Sequence, residues 1–212
     1  MGRGSSKATG RAKGGGLNPA NIKSSEDMVS ARANYQAAVD DVLTVSRAMR
    51  DEYGQETVVD QFVISEITGK DANTLGYYGS GIIGMNERFM DVEAMNGAYD
   101  DCVTSGFHPS RGNRSGIEAV AAHEYGHSLT DSVGRAMGIS DIDEAATRIV
   151  NEARRNTGHR GVVQMARKIS EYATSSNAEA VAEAVADVYC NGNRARRESR
   201  AIVDVCNSYL KK

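Results

Sequence analysis

Apolar residues recur at helical spacing through most of the chain. The first such stretch begins at Ser24 or Ser25, and Gly54 is a plausible end for it. Later stretches with the same period of about 3.6 residues are separated by polar, glycine-containing segments. The helices predicted in this way cover residues 24–54, 90–104, 115–130, 140–158, 161–169, 177–191 and 195–209.

Two shorter segments have the composition of strands. Residues 57–64 are largely β-branched and apolar, which is typical of a strand. Residues 74–86 predict either one strand or a hairpin, with Gly79, Ser80 and Gly81 forming a turn or a bulge. The expected fold is therefore α+β, with a small antiparallel sheet packed against a mainly helical half.

The formal net charge of −3 conceals an uneven distribution. Residues 1–16 carry four basic side chains and no acid, whereas residues 17–212 carry 21 basic and 28 acidic side chains. The glycine-rich basic start predicts a flexible, disordered tail over residues 1–23, followed by a single domain over residues 24–212. The acidic body argues against the broad basic face of a nucleic-acid-binding protein, so no specific nucleic-acid partner is expected.

The apolar runs of the sequence are short. None approaches the roughly 18 residues of a membrane span, and no apolar segment follows the basic start as it would in a secretory signal. A cytoplasmic location is therefore expected, with association with a virion or delivery by a non-classical route as the alternatives. The three cysteines show no zinc-binding spacing.

One motif carries recognisable chemistry. His123, Glu124 and His127 form an HExxH sequence within the helix that begins near Ser115. A spacing of four residues places both imidazoles on one helix face, where two nitrogens can bind one zinc ion at about 2.0–2.1 Å. Glu124 would then face a water molecule on the metal and act as its general base. The alternative is a pair of histidines on an ordinary amphipathic helix.

The helix that carries this motif has a clear start signal. Ser115 and Glu118 fit a capping box, in which the serine side chain caps an early N–H group and the glutamate reaches back. The capping box places the motif well inside a helix rather than in a loop.

A catalytic zinc site needs a third protein ligand. His108 and His159 are candidates, although neither has a partner at a motif spacing. The acidic residues Glu179, Glu183 and Asp187 lie four apart on an otherwise Ala/Val-rich helix. Buried carboxylates need a cation or a hydrogen-bond donor, which favours Glu179 as the ligand and Glu183 as its outer support.

Two alternatives remain for these acidic residues. Glu179 could serve only as the capping partner of Ser176, and all three carboxylates could form a solvated face. Tyr172, seven residues before Glu179, has two interpretations of its own. Its phenol could stabilise the oxyanion of a hydrolytic reaction, or its ring could simply pack against the helix over residues 178–190.

These motifs resemble the zinc metallopeptidase domain of anthrax lethal factor and its relatives, within the gluzincin peptidases. The resemblance covers roughly residues 75–190 and implies a zincin-like fold. It implies zinc binding by His123, His127 and Glu179, activation of water by Glu124, and assistance at the transition state by Tyr172. The matching positions are His123, Glu124, Gly126, His127, Tyr172, Glu179, Ala182 and Glu183.

The resemblance also suggests where a substrate lies and where such a protein occurs. In gluzincins an edge strand commonly aligns the substrate backbone by β-addition. Here the resemblance assigns that role to Ile82, Ile83, Gly84 and Met85. The Gly/Arg/Ser-rich start resembles small proteins encoded in phage and prophage head-gene clusters, in which lethal-factor-like domains occur.

The expected function is a zinc metalloendopeptidase with one Zn²⁺ per chain, which hydrolyses a protein or peptide substrate through water activated by Glu124. The alternative is a non-catalytic, zinc-stabilised phage structural or host-interaction module. The presence of Glu124 favours the enzyme, because binding zinc alone does not require that residue. The oligomeric state and the substrate are not indicated by these patterns.

Overall fold

The computed structural model describes the backbone of residues 22–27 and the complete residues 35–54 and 61–210. Helices and strands mix in this part of the chain, which confirms the α+β class. The strands are β1 Ile22–Asp27, β2 Gln61–Ile67, β3 Gly76–Gly79 and β4 Ile82–Asn86. The helices are α1 Gln36–Tyr53, α2 Val92–Thr104, α3 Gly116–Ala136, α4 Ile142–Thr157, α5 Val162–Ala166, α6 Asn177–Asn191 and α7 Arg197–Leu210.

The described strands form a mixed sheet in the order β1-β2-β4-β3. The outer pairs, β1 with β2 and β3 with β4, are antiparallel, whereas β2 and β4 run parallel. The prediction of a wholly antiparallel sheet was therefore wrong at its central pair. The chain reverses twice between β2 and β4, so these strands point the same way and pair in parallel once β4 takes the inner place.

The N-terminal part differs from the helix predicted to begin at Ser24 or Ser25. Residues 22–27 form β1, and α1 begins only at Gln36. In β1, Asp27 pairs with Val63 of β2. Backbone pairing along a free strand edge is a long-range contact that local periodicity does not report. Residues 1–21, most of the predicted tail, lie outside the described residues.

The segment over residues 74–86 is a hairpin, one of its two predicted forms. Ser80 and Gly81 make the turn, with φ of 51° and 82° respectively. A tight two-residue hairpin turn requires positive φ at both turn residues, because that backbone conformation matches the twist of the strands. Gly81 adopts it without steric cost because glycine has no Cβ.

The capping box predicted for α3 is confirmed. The Ser115 hydroxyl accepts a hydrogen bond from the Glu118 N–H at 3.0 Å, and the Glu118 carboxylate accepts one from the Ser115 N–H at 3.0 Å. The helix, which was predicted to run through Thr130 or slightly beyond, continues to Ala136. Almost every residue from Gly116 to Gly134 is buried, so α3 is the central helix of the core and the polar residues of its HExxH segment lie away from solvent.

Three groups of elements cover α3 on different sides. The α6 helix packs along it, α1 and α2 contact it, and β3 and β4 lie against it. Gly116 permits the contact with α2, because a Cβ there would come 2.7 Å from the Met95 carbonyl oxygen. Among the described helices, none combines the length and apolar character needed to cross a membrane.

Candidate metal centre

The two histidines of the motif project together from the buried middle of α3. His123 and His127 are 2% and 1% exposed, and their ring centroids lie 5.1 Å apart. One helical turn separates them, which is why both rings reach the same point between α3 and α6.

Glu179 reaches this point from the first turn of α6. Its backbone N–H donates to the Ser176 hydroxyl at 3.1 Å, which is half of the predicted capping arrangement. The Glu179 carboxylate lies against the histidines: Oε2 is 3.2 Å from Nε2 of His123 and 3.5 Å from Nε2 of His127. The structure therefore brings together the three residues that the sequence singled out as metal ligands.

Several of the atoms that converge here have no hydrogen-bond partner among the described residues. They are His123 Nε2, His127 Nε2, both oxygens of Glu124 and Glu179 Oε2, all buried. Nδ1 of His127, which points away from this group, also has no partner among the described residues. Leaving buried polar atoms unsatisfied costs about 1–3 kcal/mol each. A cation placed among them would satisfy the group in a way that neighbouring protein atoms do not.

The spacing of these atoms also fits a metal ion. The candidate ligand atoms of His123, Glu124 and His127 lie within 4.8 Å of one another. Two ligands at about 2.0–2.1 Å from a tetrahedral ion would be roughly 3.3–3.4 Å apart. The separations of 3.2 and 3.5 Å between Glu179 and the histidines match that value. This buried group could therefore hold a metal ion.

Charge at the centre is unevenly distributed. Burial by itself would raise the pKa of Glu179, but the imidazoles of His127 and His123 together lower it to about 2. Burial lowers the pKa of His127, which favours the neutral ring. Burial also opposes a charge on His123, but its contacts with Glu179 and Glu183 raise its pKa well above the usual value. Glu179 is therefore an ionised carboxylate between a protonated His123 and a neutral His127, and a metal ion would have to displace one proton from His123 to bind it.

Glu124 lies beside the ligands in a different environment. Its side chain is fully buried, and removal from water raises its pKa to about 8, an effect that His123 opposes and Glu179 reinforces. Gly76 of β3 leaves room for it, because a Cβ on Gly76 would come 3.3 Å from Glu124 Cγ and 2.8 Å from a Val120 methyl. A carboxyl group with this pKa can both take up and release a proton near neutral pH.

Glu183, predicted to support the centre, lies one turn further along α6. Its Oε1 is 2.8 Å from Nδ1 of His123 and 2.9 Å from Nδ1 of His108. Its Oε2 accepts a hydrogen bond from the Ser170 hydroxyl at 2.7 Å. These contacts outweigh the effect of burial and hold the pKa of Glu183 well below its usual range.

The remaining candidates lie elsewhere. His108 contacts Glu183 through Nδ1 rather than sharing the position between His123 and His127. His159 pairs with Glu198 of α7 at 2.9 Å. Asp187 accepts hydrogen bonds from the Arg196 N–H and the Ser199 hydroxyl at the start of α7. The three acidic residues of α6 therefore have different contacts: Glu179 faces the two histidines of the motif, Glu183 holds one of them from behind, and Asp187 caps the start of α7.

Tyr172 lies in a short 3₁₀ turn, Tyr172–Thr174, immediately before α6. Its ring stacks on Phe107 at 4.8 Å and on His123 at 5.8 Å between centroids. Burial raises the pKa of the phenol far above its usual value, and the Glu179 and Glu124 carboxylates add to the effect. The ring thus packs in the core and also holds a protonated hydroxyl near the centre.

The prediction that residues 82–85 form a substrate-binding edge strand is wrong. Ile82, Ile83, Gly84 and Met85 lie in β4, which pairs with β2 on one side and β3 on the other. Both backbone edges of β4 are thus occupied, and a substrate cannot add to it. The edge strand of the described sheet on the α3 side is β3, whose Gly76 lies close enough to Glu124 that a Cβ there would come 3.3 Å from its Cγ.

Three residues beside the centre, Gly76, Ser170 and His108, have contacts that were not predicted from the sequence. Gly76 had a signal, because a glycine inside a strand often marks a close approach to another element. The contacts of Ser170 and His108 had no such signal in the sequence. Both residues contact Glu183, which lies 13 residues from Ser170 and 75 residues from His108 in the chain.

The chain matches no family model, no curated protein and no solved structure. The resemblance to lethal-factor-like peptidases therefore stays a prediction. The residues of the centre and their geometry are the basis on which a function can be inferred.

Proposed function

We propose that the chain is a zinc-dependent metallopeptidase, with His123, His127 and Glu179 as the ligands of one Zn²⁺ per chain. The observation that carries this proposal is the convergence of buried nitrogen and oxygen atoms without hydrogen-bond partners among the described residues. Buried polar atoms of a folded protein are almost always satisfied, and a bound cation is the ligand that we infer for this cluster because it would satisfy nitrogen and oxygen atoms together.

The donor set favours zinc in a catalytic role. Two imidazoles and one carboxylate are a known zinc combination, and three protein ligands leave a fourth position open. When bound, the ion would lower the pKa of a coordinated water towards 7 and polarise a substrate carbonyl. A purely structural site has four protein ligands and no need for a buried carboxyl group beside it.

Glu124 supplies the acid-base function in this proposal. Its pKa of about 8 in the metal-free protein lies near neutral, where a group exchanges protons readily in both directions. A nearby cation favours the ionised form, so Glu124 can accept a proton from the attacking water. It then returns that proton to the amine that leaves as the peptide bond breaks.

Tyr172 supplies a hydrogen-bond donor. Its raised pKa keeps the hydroxyl protonated, and the stacked Phe107 and His123 rings fix its orientation. A donor held in place beforehand stabilises the negative charge that develops on the carbonyl oxygen during hydrolysis.

We assign the alignment of a substrate to β3. It is an edge strand of the described sheet and lies beside Glu124 through Gly76. An extended peptide adding to its outer edge would form backbone hydrogen bonds that do not depend on sequence. Tyr78 of β3 is fixed to α3 by its hydroxyl, which donates to Asp131 at 3.3 Å.

The experiment compares wild type with Glu124→Ala in zinc content and in cleavage of a proteome-derived peptide library. We expect about one zinc per chain in both proteins and cleavage by wild type alone. A His123→Ala/His127→Ala double variant should lose the zinc. If the double variant bound as much zinc as wild type, the site assignment would be wrong. If Glu124→Ala cleaved peptides as fast as wild type, the proposed mechanism would be wrong. Zinc without cleavage in wild type would favour the non-catalytic module.

A further inference from the structure

His108 lies beside the candidate metal centre, with its ring edge-on to the His123 ring and 6.1 Å from it between centroids. It is 3% exposed, and it belongs to the loop between α2 and α3. A single oxygen of Glu183, Oε1, contacts Nδ1 of His108 at 2.9 Å and Nδ1 of His123 at 2.8 Å. The carboxylate therefore links a residue outside the ligand set to one inside it.

The hydrogen positions follow from this arrangement. An ionised carboxylate only accepts hydrogen bonds, so both Nδ1 atoms must carry a hydrogen. A neutral His123 ring protonated on Nδ1 has its lone pair on Nε2, the atom that faces Glu179. With Ser170 donating to Oε2 at 2.7 Å, Glu183 accepts three hydrogen bonds and has little freedom to rotate.

The position of His108 is itself fixed. Its ring stacks on Tyr99, with centroids 5.2 Å apart and planes within 7°. The two residues before it accept backbone hydrogen bonds: Gly106 from the Glu171 N–H at 2.9 Å, and Phe107 from the Tyr172 N–H at 3.1 Å. The loop that carries His108 is thus joined to the segment that carries Tyr172.

We propose that His108 is a positioning residue: through Glu183 it holds His123 in the tautomer and orientation that direct Nε2 to the metal. The inference rests on the proposed metal centre and adds to it a residue that touches neither metal nor substrate. Partners that orient a metal-binding histidine commonly change metal affinity about 10–100-fold when removed.

The test compares His108→Asn with His108→Gln in the full chain. The Asn amide nitrogen can occupy nearly the place of Nδ1 and donate to Glu183, whereas the longer Gln amide reaches the place of Nε2. Both replacement side chains are polar and neutral, so the two variants differ mainly in the position of the amide N–H group that can donate to Glu183. His159→Gln is the matched control, because it alters a second histidine–glutamate pair, with Glu198, that is not joined to Glu183.

The first measurement is the rate at which zinc passes from each loaded protein to an excess of chelator. We expect His108→Gln to release zinc about 10–100-fold faster than wild type. His108→Asn and His159→Gln should stay close to wild type. Nitrogen NMR of the labelled His123 ring in the zinc-loaded proteins should show a slowly exchanging Nδ1 hydrogen in wild type and His108→Asn, lost in His108→Gln.

Equal release from the Asn and Gln variants, whatever its rate, would overturn the positioning role and leave the metal centre in place. A wild-type protein that binds no zinc would overturn both proposals. Thermal unfolding of the metal-free variants separates these results from a general loss of structure. If His108→Gln and His108→Asn unfold at similar temperatures, a difference in zinc release reports positioning.

Discussion

Gly126 of α3 lies directly against Ala182 of α6, so that a Cβ built on Gly126 would come 2.6 Å from Ala182 Cα. This contact is between backbones rather than between side chains. It is also the contact that sets the distance between the helix of the histidines and the helix of Glu179. The glycine inside the HExxH motif therefore has a geometric role that is separate from the chemistry of its neighbours.

Replacing this glycine should damage both stability and the centre. We expect Gly126→Ala to lower the free energy of unfolding by about 1–3 kcal/mol, because overpacking at a backbone contact forces the helices apart. Zinc affinity should fall as well, since Glu179 moves with α6. Denaturant unfolding and a competition titration with a chelator measure the two effects.

Gly97 of α2 provides the matched control. It is also a helical glycine, but a Cβ added there meets no atom within 4 Å. Gly97→Ala should therefore raise stability by up to about 1 kcal/mol through helix propensity and leave zinc affinity unchanged. If both alanine variants behaved alike, the close approach at Gly126 would not be what limits the site.

Two carboxylates of α6, one turn apart, should respond differently to neutralisation. Glu183→Gln removes the charge that holds Nδ1 of His123, so zinc affinity should fall about 10–100-fold. Asp187→Asn weakens the contacts with the Arg196 N–H and Ser199, so stability should fall by about 1–3 kcal/mol with zinc affinity retained. Unfolding of the metal-free proteins and zinc titration measure the two quantities separately. The reverse pattern would contradict the roles assigned to them.

The raised pKa of Glu124 makes the stability of the metal-free protein depend on pH. The folded value is about 8 and the ordinary value is 4.5, so between them the folded chain holds a proton that the unfolded chain has released. Stability from this group is therefore lost as pH rises from about 5 to 8. Urea unfolding in chelator at these two pH values should show a larger loss for wild type than for Glu124→Gln.

Zinc should reverse the direction of this dependence. The metal binds deprotonated ligands, so its contribution to stability grows as pH rises from about 5 to 8. Wild type unfolded in excess zinc is expected to be more stable at the higher of these pH values than at the lower. An identical pH dependence with and without zinc would argue against a metal ion at this centre.

Local signals in the sequence were informative where the structure depends on neighbouring residues. Ser115 and Glu118 marked the start of α3, and Gly81 marked the hairpin turn, because caps and turns are formed within a few residues of the chain. The prediction that a helix begins near Ser24 was wrong because the structure there depends on residues far along the chain. Its first residues pair with β2, and no local period reports a partner so far along the chain.

The candidate site divides in the same way. That Glu179 would approach the histidines could be argued from a carboxylate on an apolar helix, because burial demands a partner for its charge. The contacts of His108 and Ser170 with Glu183 could not be argued from the sequence. The inner position of β4, which leaves residues 82–85 without a free edge for substrate, could not be argued from it either, because strand order is decided by how whole elements pack.

By itself, the sequence determined that two imidazoles and a carboxyl group would project from one turn of a capped helix, since helical geometry places residues four apart on one face. Only the tertiary structure decided which distant groups meet them. His123 and Glu183 are 60 residues apart, and His108 and Glu183 are 75 apart. Such contacts exist because α3, α6 and the loop before α3 pack closely, and packing depends on the shapes of all the elements together.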